Sequence, residues 1–420
     1  MKKVSFFTLG CRVNSYETQA MSDIFRKNGY EISDFNDVCD VYIINSCTVT
    51  AMGDKKSRQE LRKAKRKNED AICVLAGCYA QSLVKKGETI PEADVILGNG
   101  FKNKILDAVE NALKKKKQQI LVEDALKQRE YCEDKIDSFD DKTRAMIKIQ
   151  DGCDRFCSYC IIPYVRGPVK SRRLENIKAE VEKIAKCGFK EIVLTGIQVA
   201  AYGQDTKEGS LLDVVKLCAE VKGIERIRLG SVEPVIITDE FLKGIKETNK
   251  FCPSFHLSLQ SGCDETLKRM NRRYNTKQYY DAICKIREYF PYAGLTTDVI
   301  VGFPGETEEE FEKSLKFAEK VGFTHIHVFP YSIREGTKAA QMDGQIEKSI
   351  KDRRVKLMNE LSEKSHREFL DKIKGKAFKV LVETEKEKGT YTGYTENYIE
   401  TEIKSEENII GQIVEVKLWI

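Results

Sequence analysis

The sequence predicts an α/β fold class in three parts: a parallel sheet covered by helices, a partly open barrel of strand–helix units, and a small antiparallel β-barrel. Short apolar runs alternate with helical stretches within residues 1–120, and a second series of the same kind begins near residue 143. Such alternation is typical of parallel strands joined by helices. From residue 372 onward, short strands of alternating apolar and polar side chains indicate an antiparallel module.

The first region contains four candidates for short buried strands. They are Val4–Leu9, Val41–Asn45, Ile72–Ala76 and Val95–Leu97, with helical stretches such as Ser15–Lys27 and Lys55–Lys67 between them. Cys11, Cys47 and Cys78 each follow one of the first three strands, and the carboxyl ends of parallel strands line one crevice. A single cysteine there is best explained as a small buried hydrophobe. Three at equivalent positions favour a three-thiolate cluster.

A polar stretch at residues 121–142 is predicted to be a linker, and six further strand candidates follow it. These candidates are Ala145–Ile149, Glu191–Leu194, Arg226–Gly230, Phe255–Leu259, Thr297–Val301 and His325–Phe329. Most of them precede an amphipathic helix, so the region predicts a curved, partly open barrel of six βα units. Active side chains in such folds lie at the carboxyl ends of the strands.

Three cysteines stand directly after the first of these six strands. Cys153, Cys157 and Cys160 form a CxxxCxxC motif, which can supply three thiolates to a 4Fe–4S cluster and leave one iron without a protein ligand. A structural zinc site normally needs four ligands, in paired groups. The spacing therefore favours an iron–sulfur cluster with an open, reactive iron.

The last region follows a long charged helix, Glu347–Ile373, which is predicted to end the barrel domain near residue 371. Residues 372–420 have the length of a small OB-like barrel, a fold that often binds RNA. Lysines and glutamates nearly balance there. We therefore expect any RNA contact to come from one face rather than from bulk charge.

The composition is that of an ordinary soluble chain. Charged residues make up 33% and hydrophobic residues 41% of the 420 positions. No apolar run approaches the roughly 18 residues that cross a bilayer, which predicts a cytoplasmic protein without a membrane partner. Fourteen cysteines in such a chain indicate metal ligands and buried thiols. The net charge of +5 is a weak signal, but the basic run at residues 55–67 fits either a solvated helix face or a phosphate backbone.

Together these motifs resemble the radical S-adenosylmethionine (SAM) enzymes, specifically their methylthiotransferase branch. The resemblance covers essentially the whole chain and is carried by residues 148–163, Arg166-Gly167, Ser171-Arg172, residues 10–17, residues 45–49 and residues 76–78. It implies a Rossmann- or flavodoxin-like domain at 1–120, a radical SAM partial (β/α)6 barrel at 143–371 and a TRAM-like domain at 372–420.

The resemblance also implies the cofactors: two 4Fe–4S clusters and two SAM molecules. In such enzymes SAM binds the open iron and is cleaved to a 5′-deoxyadenosyl radical, which implies that role for the cluster on Cys153, Cys157 and Cys160. The cluster on Cys11, Cys47 and Cys78 would carry the sulfur that is methylated and inserted. No catalytic side chain is expected, because the radical derives from SAM.

Further residues are expected around SAM. Tyr159, by the resemblance, would lie close to the adenine. The other candidates lie mostly at strand ends. A glycine there lets the backbone approach a nucleoside closely, and polar side chains can bind the nucleoside. They are Gly196, Gln198, Glu233, Gln260, Arg269 and Gly302. Taken singly, each is also explained as a turn glycine, a helix N-terminal carboxylate or a surface arginine.

Three substrates compete within the family: threonylcarbamoyladenosine beside the tRNA anticodon, isopentenyladenosine at the same place, and an aspartate of a ribosomal protein. Residues 143–153, 10–15 and 329–332 most resemble the threonylcarbamoyl group. The modified base must leave its stack to reach the barrel mouth. Five basic residues around the cysteine loop would suit an anticodon stem-loop: Arg155, Arg166, Lys170, Arg172 and Arg173.

A different class of function is a non-catalytic iron–sulfur or zinc protein that binds RNA and uses the same cysteines structurally. Such a protein needs no SAM pocket at the ends of the barrel strands. The enzyme interpretation requires an electron donor and a sulfur donor, which the sequence does not identify.

Overall fold

The computed structural model describes residues 1–115, 117–134, 136 and 143–419. The chain forms two compact units. The first holds the described residues up to 136, with Gln150–Arg172 and Ser332–Ala340; the second holds residues 143–149, Arg173–Tyr331 and residues 341–419. The loop with Cys153, Cys157 and Cys160 thus belongs to the first unit. The predicted domain boundaries stay a prediction, and residues 135 and 137–142 of the predicted linker lie outside the described part.

The elements are numbered in chain order. The strands are β1 (Lys3–Thr8), β2 (Glu31–Ile32), β3 (Val41–Ser46), β4 (Ile72–Gly77), β5 (Val95–Leu97), β6 (Gln119–Leu121), β7 (Arg144–Lys148), β8 (Gln150–Asp151), β9 (Lys170–Ser171), β10 (Glu191–Thr195), β11 (Arg226–Leu229), β12 (Ser254–His256), β13 (Gly294–Val301), β14 (His325–Pro330), β15 (Ala377–Glu387), β16 (Thr390–Thr395), β17 (Glu400–Lys404) and β18 (Ile413–Lys417).

The α-helices are α1 (Arg12–Lys27), α2 (Ala51–Lys67), α3 (Cys78–Lys85), α4 (Ile105–Lys115), α5 (Ile162–Arg166), α6 (Leu174–Lys186), α7 (Leu211–Glu220), α8 (Asp239–Glu247), α9 (Asp264–Arg269), α10 (Thr276–Tyr289), α11 (Glu308–Val321) and α12 (Lys348–Ile373). Among the residues that the structure describes, no helix combines the length and apolar character needed to span a membrane.

The first unit is built on a six-stranded sheet in the order β2-β1-β3-β4-β5-β6, and every neighbouring pair is parallel. Phe25 and Val109, from α1 and α4, pack on one face, whereas Leu61 and Leu83, from α2 and α3, pack on the other. The predicted parallel sheet, covered on both faces, is confirmed. Helix α2 starts earlier than Lys55 because the Thr50 side chain accepts a hydrogen bond from the Gly53 N–H.

The second unit contains six parallel strands in chain order. Strands β7, β10 and β11 form one sheet, and β12, β13 and β14 form another. Parallel bridges at Ile227–Phe251 and Val232–Leu257 connect the two. One continuous apolar core lies between the strands and the helices around them. The predicted barrel of six βα units is therefore confirmed.

The C-terminal region is an antiparallel sheet in the order β17-β16-β15-β18, a half-barrel consistent with the predicted small β-barrel. Two arginines of strand β11 bind this sheet through hydrogen bonds within the second unit. Arg226 and Arg228 donate hydrogen bonds to the carbonyl oxygen of Thr395 at 3.0 Å and 2.7 Å. Both guanidinium groups also contact the fully buried Glu191 carboxylate, at 2.7 Å and 2.8 Å.

Candidate iron–sulfur sites

The fold places Cys11, Cys47 and Cys78 at corresponding positions on one edge of the first sheet. Cys11 precedes α1, Cys47 follows β3, and Cys78 begins α3. Thr8 pairs with Asn45, and Asn45 pairs with Ala76, so the three strands end side by side. The thiols themselves range from exposed in Cys11 to buried in Cys78.

Two glycines allow the loops that carry these cysteines to approach each other. Gly10 has φ +101°, and a β-carbon there would lie 2.7 Å from the Cβ of Cys47 and 2.8 Å from its Sγ. Gly77 has φ +96°, and its β-carbon would lie 2.6 Å from the carbonyl oxygen of Ser46. Glycine alone combines this backbone conformation with the missing side chain. Gly10 and Gly77 therefore make the close packing of the loops around Cys47 possible.

The neighbouring thiols influence the pKa of Cys47. Burial, and then the neighbouring thiols of Cys78 and Cys11, raise the pKa of Cys47 to about 11. An iron–sulfur cluster is held by thiolates, so loading this site must release protons. Three adjacent thiols in a partly buried cradle are a suitable donor set for such a cluster.

Within the described part of the chain, no group of three or more His, Cys, Asp or Glu residues is placed to hold one metal ion. The chemistry of the donors favours a cluster over zinc. Each set supplies three thiolates, the number that leaves one iron of a 4Fe–4S cluster without a protein ligand, whereas structural zinc normally takes four protein ligands.

Cys153, Cys157 and Cys160 lie on a tight loop that a short ribbon closes. Strands β8 and β9 pair antiparallel through Gln150–Ser171 and Asp151–Lys170. The backbone N–H of Cys153 donates to the carbonyl oxygen of Gly167 at 3.0 Å, and the N–H of Arg155 donates to the Sγ of Cys153 at 3.4 Å. The ribbon and these bonds hold the loop in shape.

The two cysteine sets share apolar packing within the first unit. Cys78 packs with Ile161 and Val165. Ile161 directly follows Cys160, and Val165 lies in α5.

Arg334 stabilises the segment after Cys47. It donates to the Oγ1 of Thr48 at 2.6 Å and pairs with the Asp54 carboxylate at 2.9 Å. No sequence pattern pointed to Arg334, which is distant in the chain.

Three of the five residues predicted to contact RNA are buried and have internal partners, which corrects that assignment. Arg166 is fully buried. Lys170 is 5% exposed and donates to the carbonyl oxygen of Arg166 at 2.7 Å. Arg172 is also 5% exposed, and its Nε donates to Glu133 at 2.8 Å. Only Arg155, which is half-buried, and Arg173, which is exposed, keep accessible surface for an RNA.

Most of the predicted SAM-binding residues lie in the second unit, after successive strands. Gln198 follows β10 and Glu233 follows β11, and the Nε2 of Gln198 donates to the Glu233 carboxylate at 3.4 Å. Arg272, which the sequence interpretation passed over, lies 3.3 Å from the other oxygen of Glu233. The structure thus brings Gln198, Glu233 and Arg272 into one polar group. Its chemistry suits ribose hydroxyls or a carboxylate.

Gly196 follows β10 directly and is half-buried. Gln260 adopts φ +69° beyond β12, and its N–H donates to the carbonyl oxygen of Asp298 at 2.8 Å. Gly302, with φ +69°, donates its N–H to Glu306 at 2.6 Å. All three residues shape backbone at the carboxyl ends of barrel strands.

The remaining two candidates lie elsewhere. Arg269, at the end of α9, donates from Nη1 to the Glu310 carboxylate at 2.9 Å. A carboxylate of the chain itself therefore already binds the guanidinium that was expected to pair with the carboxylate of SAM. Tyr159 is half-buried on the cysteine loop of the first unit.

Comparisons with known proteins agree along the whole chain. Residues 147–318 match the model of the Radical SAM superfamily, and residues 3–98 match that of the Uncharacterized protein family UPF0004. The chain is 40% identical to the threonylcarbamoyladenosine tRNA methylthiotransferase MtaB of Bacillus subtilis, over 100% of this chain and 94% of that protein. It is 34% identical to the tRNA-2-methylthio-N(6)-dimethylallyladenosine synthase of Clostridium botulinum, over 98% and 93% of the two chains.

Among solved structures, the radical S-adenosylmethionine methyltransferase TsrM of Kitasatospora setae has a similar fold. Its TM-score is 0.57 at 15% sequence identity, and the match covers 81% of this chain and 77% of that chain. At this level of identity the likeness concerns the fold alone.

Proposed function

Because this chain belongs to the radical SAM methylthiotransferase family, we propose that it inserts a methylthio group at C2 of N6-threonylcarbamoyladenosine, next to the anticodon of tRNA. The observation that carries the proposal is the 40% identity to the threonylcarbamoyladenosine tRNA methylthiotransferase of Bacillus subtilis, which spans the whole chain. Such a tRNA substrate places the reaction in the cytoplasm.

The six cysteines would hold two 4Fe–4S clusters. Cys153, Cys157 and Cys160 hold one on the ribbon-closed loop, and the second set, Cys11, Cys47 and Cys78, holds the other at the edge of the sheet. When bound, the clusters and SAM supply the electrons, the methyl group, the sulfur and the radical chemistry of the reaction. With three protein thiolates each, both clusters keep one iron open to a further ligand.

The protein's own contribution is binding, orientation and protection from water. Gln198 and Glu233 offer an amide and a carboxylate for the ribose hydroxyls of SAM, and Arg272 orients that carboxylate by its contact at 3.3 Å. The backbone at Gly196, Gln260 and Gly302 shapes the strand ends where a nucleoside would approach. A side-chain acid–base pair is not required of the protein, because SAM would supply the radical chemistry.

The RNA would be bound through its phosphates by exposed basic side chains, of which Arg155 and Arg173 are the accessible members of the predicted set. The target adenosine would leave its stack to react. A sulfur donor and an electron donor would act as further partners, and the reductant would supply single electrons.

The test is an in vitro reaction with two tRNAs. The protein is reconstituted anaerobically with iron and sulfide, reduced with dithionite, and given SAM with tRNA that carries either threonylcarbamoyladenosine or isopentenyladenosine. We expect 5′-deoxyadenosine and a methylthio product with the first tRNA only. A product with the isopentenyl tRNA alone would assign the chain to the activity of its 34% identical relative. No 5′-deoxyadenosine with either tRNA would support the non-catalytic RNA-binding alternative.

A further inference from the structure

Arg166 is fully buried, yet each of its five N–H groups has an acceptor within the first unit. Nη1 donates to the carboxylates of Glu17 at 2.9 Å and Asp151 at 3.0 Å. Nη2 donates to the side-chain oxygen of Asn14 at 2.7 Å and to the second oxygen of Glu17 at 3.1 Å. Nε donates to the Sγ of Cys78 at 3.3 Å. An arginine bound on all sides in this way has one defined orientation.

The guanidinium keeps its positive charge despite its burial. Burial disfavours the charged form, but Asp151, Cys78 and Glu17 hold the pKa of Arg166 well above its ordinary value. A second donor, the side-chain amide of Asn99, reaches the same sulfur at 3.8 Å. The Cys78 sulfur therefore faces a fixed cation and two N–H donors.

The position of Arg166 also connects the two cysteine sets. It ends α5, shortly after Cys160, and its partner Asp151 directly precedes Gly152 and Cys153. Its other partners, Asn14 and Glu17, lie on α1 after Cys11. Glu17 forms a further buried ion pair with Lys102. One charged network thus spans the segments that carry both sets.

We propose that Arg166 is a positioning residue for the second cluster: it donates a hydrogen bond to the Cys78 sulfur that ligates this cluster and raises the cluster's reduction potential. Hydrogen bonds to the sulfurs and local charge are among the factors that set iron–sulfur potentials, and the partners of a metal ligand fix its orientation. A cation next to the thiolate stabilises the reduced, more negative state. The inference rests on the proposed function, since it needs a cluster at Cys11, Cys47 and Cys78.

The experiment is a redox titration of the second cluster alone, in the full chain. Replacing Cys153, Cys157 and Cys160 with alanine removes the other cluster and gives the parent protein. Into it we introduce Arg166→Gln together with Glu17→Gln, which keeps the buried charge of Lys102 and Asp151 balanced. Iron content and the reduced fraction, followed by electron paramagnetic resonance at poised potentials, are then measured in parent and variant.

We expect the variant to bind the iron of one cluster but to be harder to reduce. At the parent's midpoint the ratio of reduced to oxidised cluster should fall about tenfold, which corresponds to a shift of about 59 mV to more negative potential. Lys102→Met together with Glu17→Gln is the matched control, because it also removes one cation and one anion from the buried network but leaves the hydrogen bond from Arg166 to Cys78, and it should leave the midpoint unchanged. Arg166→Lys keeps the charge but loses the fixed Nε–H donor and should give a smaller negative shift.

An unchanged midpoint in the iron-loaded double variant would overturn the role of Arg166 and leave the second cluster intact. An equal shift in Lys102→Met with Glu17→Gln would also overturn it, since the effect would then come from the network in general. If the double variant fails to bind iron, Arg166→Lys decides by its midpoint. If the parent itself binds no iron, the proposed second cluster fails, and this inference fails with it.

Discussion

Replacing Gly10 with alanine should displace Cys47 and remove the iron of the cluster proposed at the edge of the first sheet. The added β-carbon would lie 2.7 Å from the Cβ of Cys47 and 2.8 Å from its Sγ, far inside ordinary contact distance. The backbone at φ +101° adds strain of about 1–3 kcal/mol, and the forced contact adds about 1–3 kcal/mol of overpacking. Both costs arise next to Cys47, a proposed ligand. The variant should therefore lose the second cluster while the protein stays folded.

Gly29→Ala is the matched control for this change. Gly29 also has a positive φ, +80°, but nothing lies within 4 Å of its added β-carbon. Its variant therefore carries the backbone strain without the contact to Cys47. Both proteins are reconstituted anaerobically, and iron content and thermal unfolding are measured side by side. We expect Gly10→Ala to lose about half of the iron and Gly29→Ala to keep all of it. Full iron in Gly10→Ala would refute the argument that Cys47 needs this opening.

Other perturbations test the barrel, its thiols and the RNA contacts. Glu191→Gln leaves buried arginines such as Arg228 without their carboxylate and should lower the free energy of unfolding by about 3–5 kcal/mol in urea titrations; wild-type stability would contradict this. Burial raises the pKa of Cys218 from 9.0 to about 12. Native protein at pH 8 should therefore not be alkylated there, and the stability that this thiol contributes should fall only as pH rises from about 9 towards 12. Arg155→Glu and Arg173→Glu should each weaken tRNA binding and reduce its salt dependence by about one counterion, and binding isotherms identical to wild type would exclude them from the interface.

The parallel sheets were predictable because short apolar runs and helical stretches carry strong local signals. The strand ends then fixed the neighbourhood of Cys11, Cys47 and Cys78, since parallel strands end on the same side. Helix starts were less predictable: α2 begins at Ala51 rather than Lys55 because the cap at Thr50 acts through one hydrogen bond to Gly53.

The basic residues of the site were harder to predict, because burial depends on partners that are distant in sequence. Arg166 was predicted to contact RNA beside the cysteine loop, but Glu17, 149 positions away, binds it inside the protein. Arg269 and Arg272 are close in sequence, and their partners could not be predicted from it either. Only the fold shows that Arg272 contacts Glu233 whereas Arg269 is held by Glu310.

The most direct test of the central claim is mass analysis of tRNA nucleosides from a strain that lacks this gene. We expect loss of 2-methylthio-N6-threonylcarbamoyladenosine with the isopentenyl counterpart intact, and restoration by the wild-type gene. Complementation with Cys47→Ala or Cys157→Ala should fail, because each removes one of the two proposed clusters. Unchanged nucleosides in the deletion strain, or full restoration by either cysteine variant, would contradict a two-cluster threonylcarbamoyladenosine methylthiotransferase.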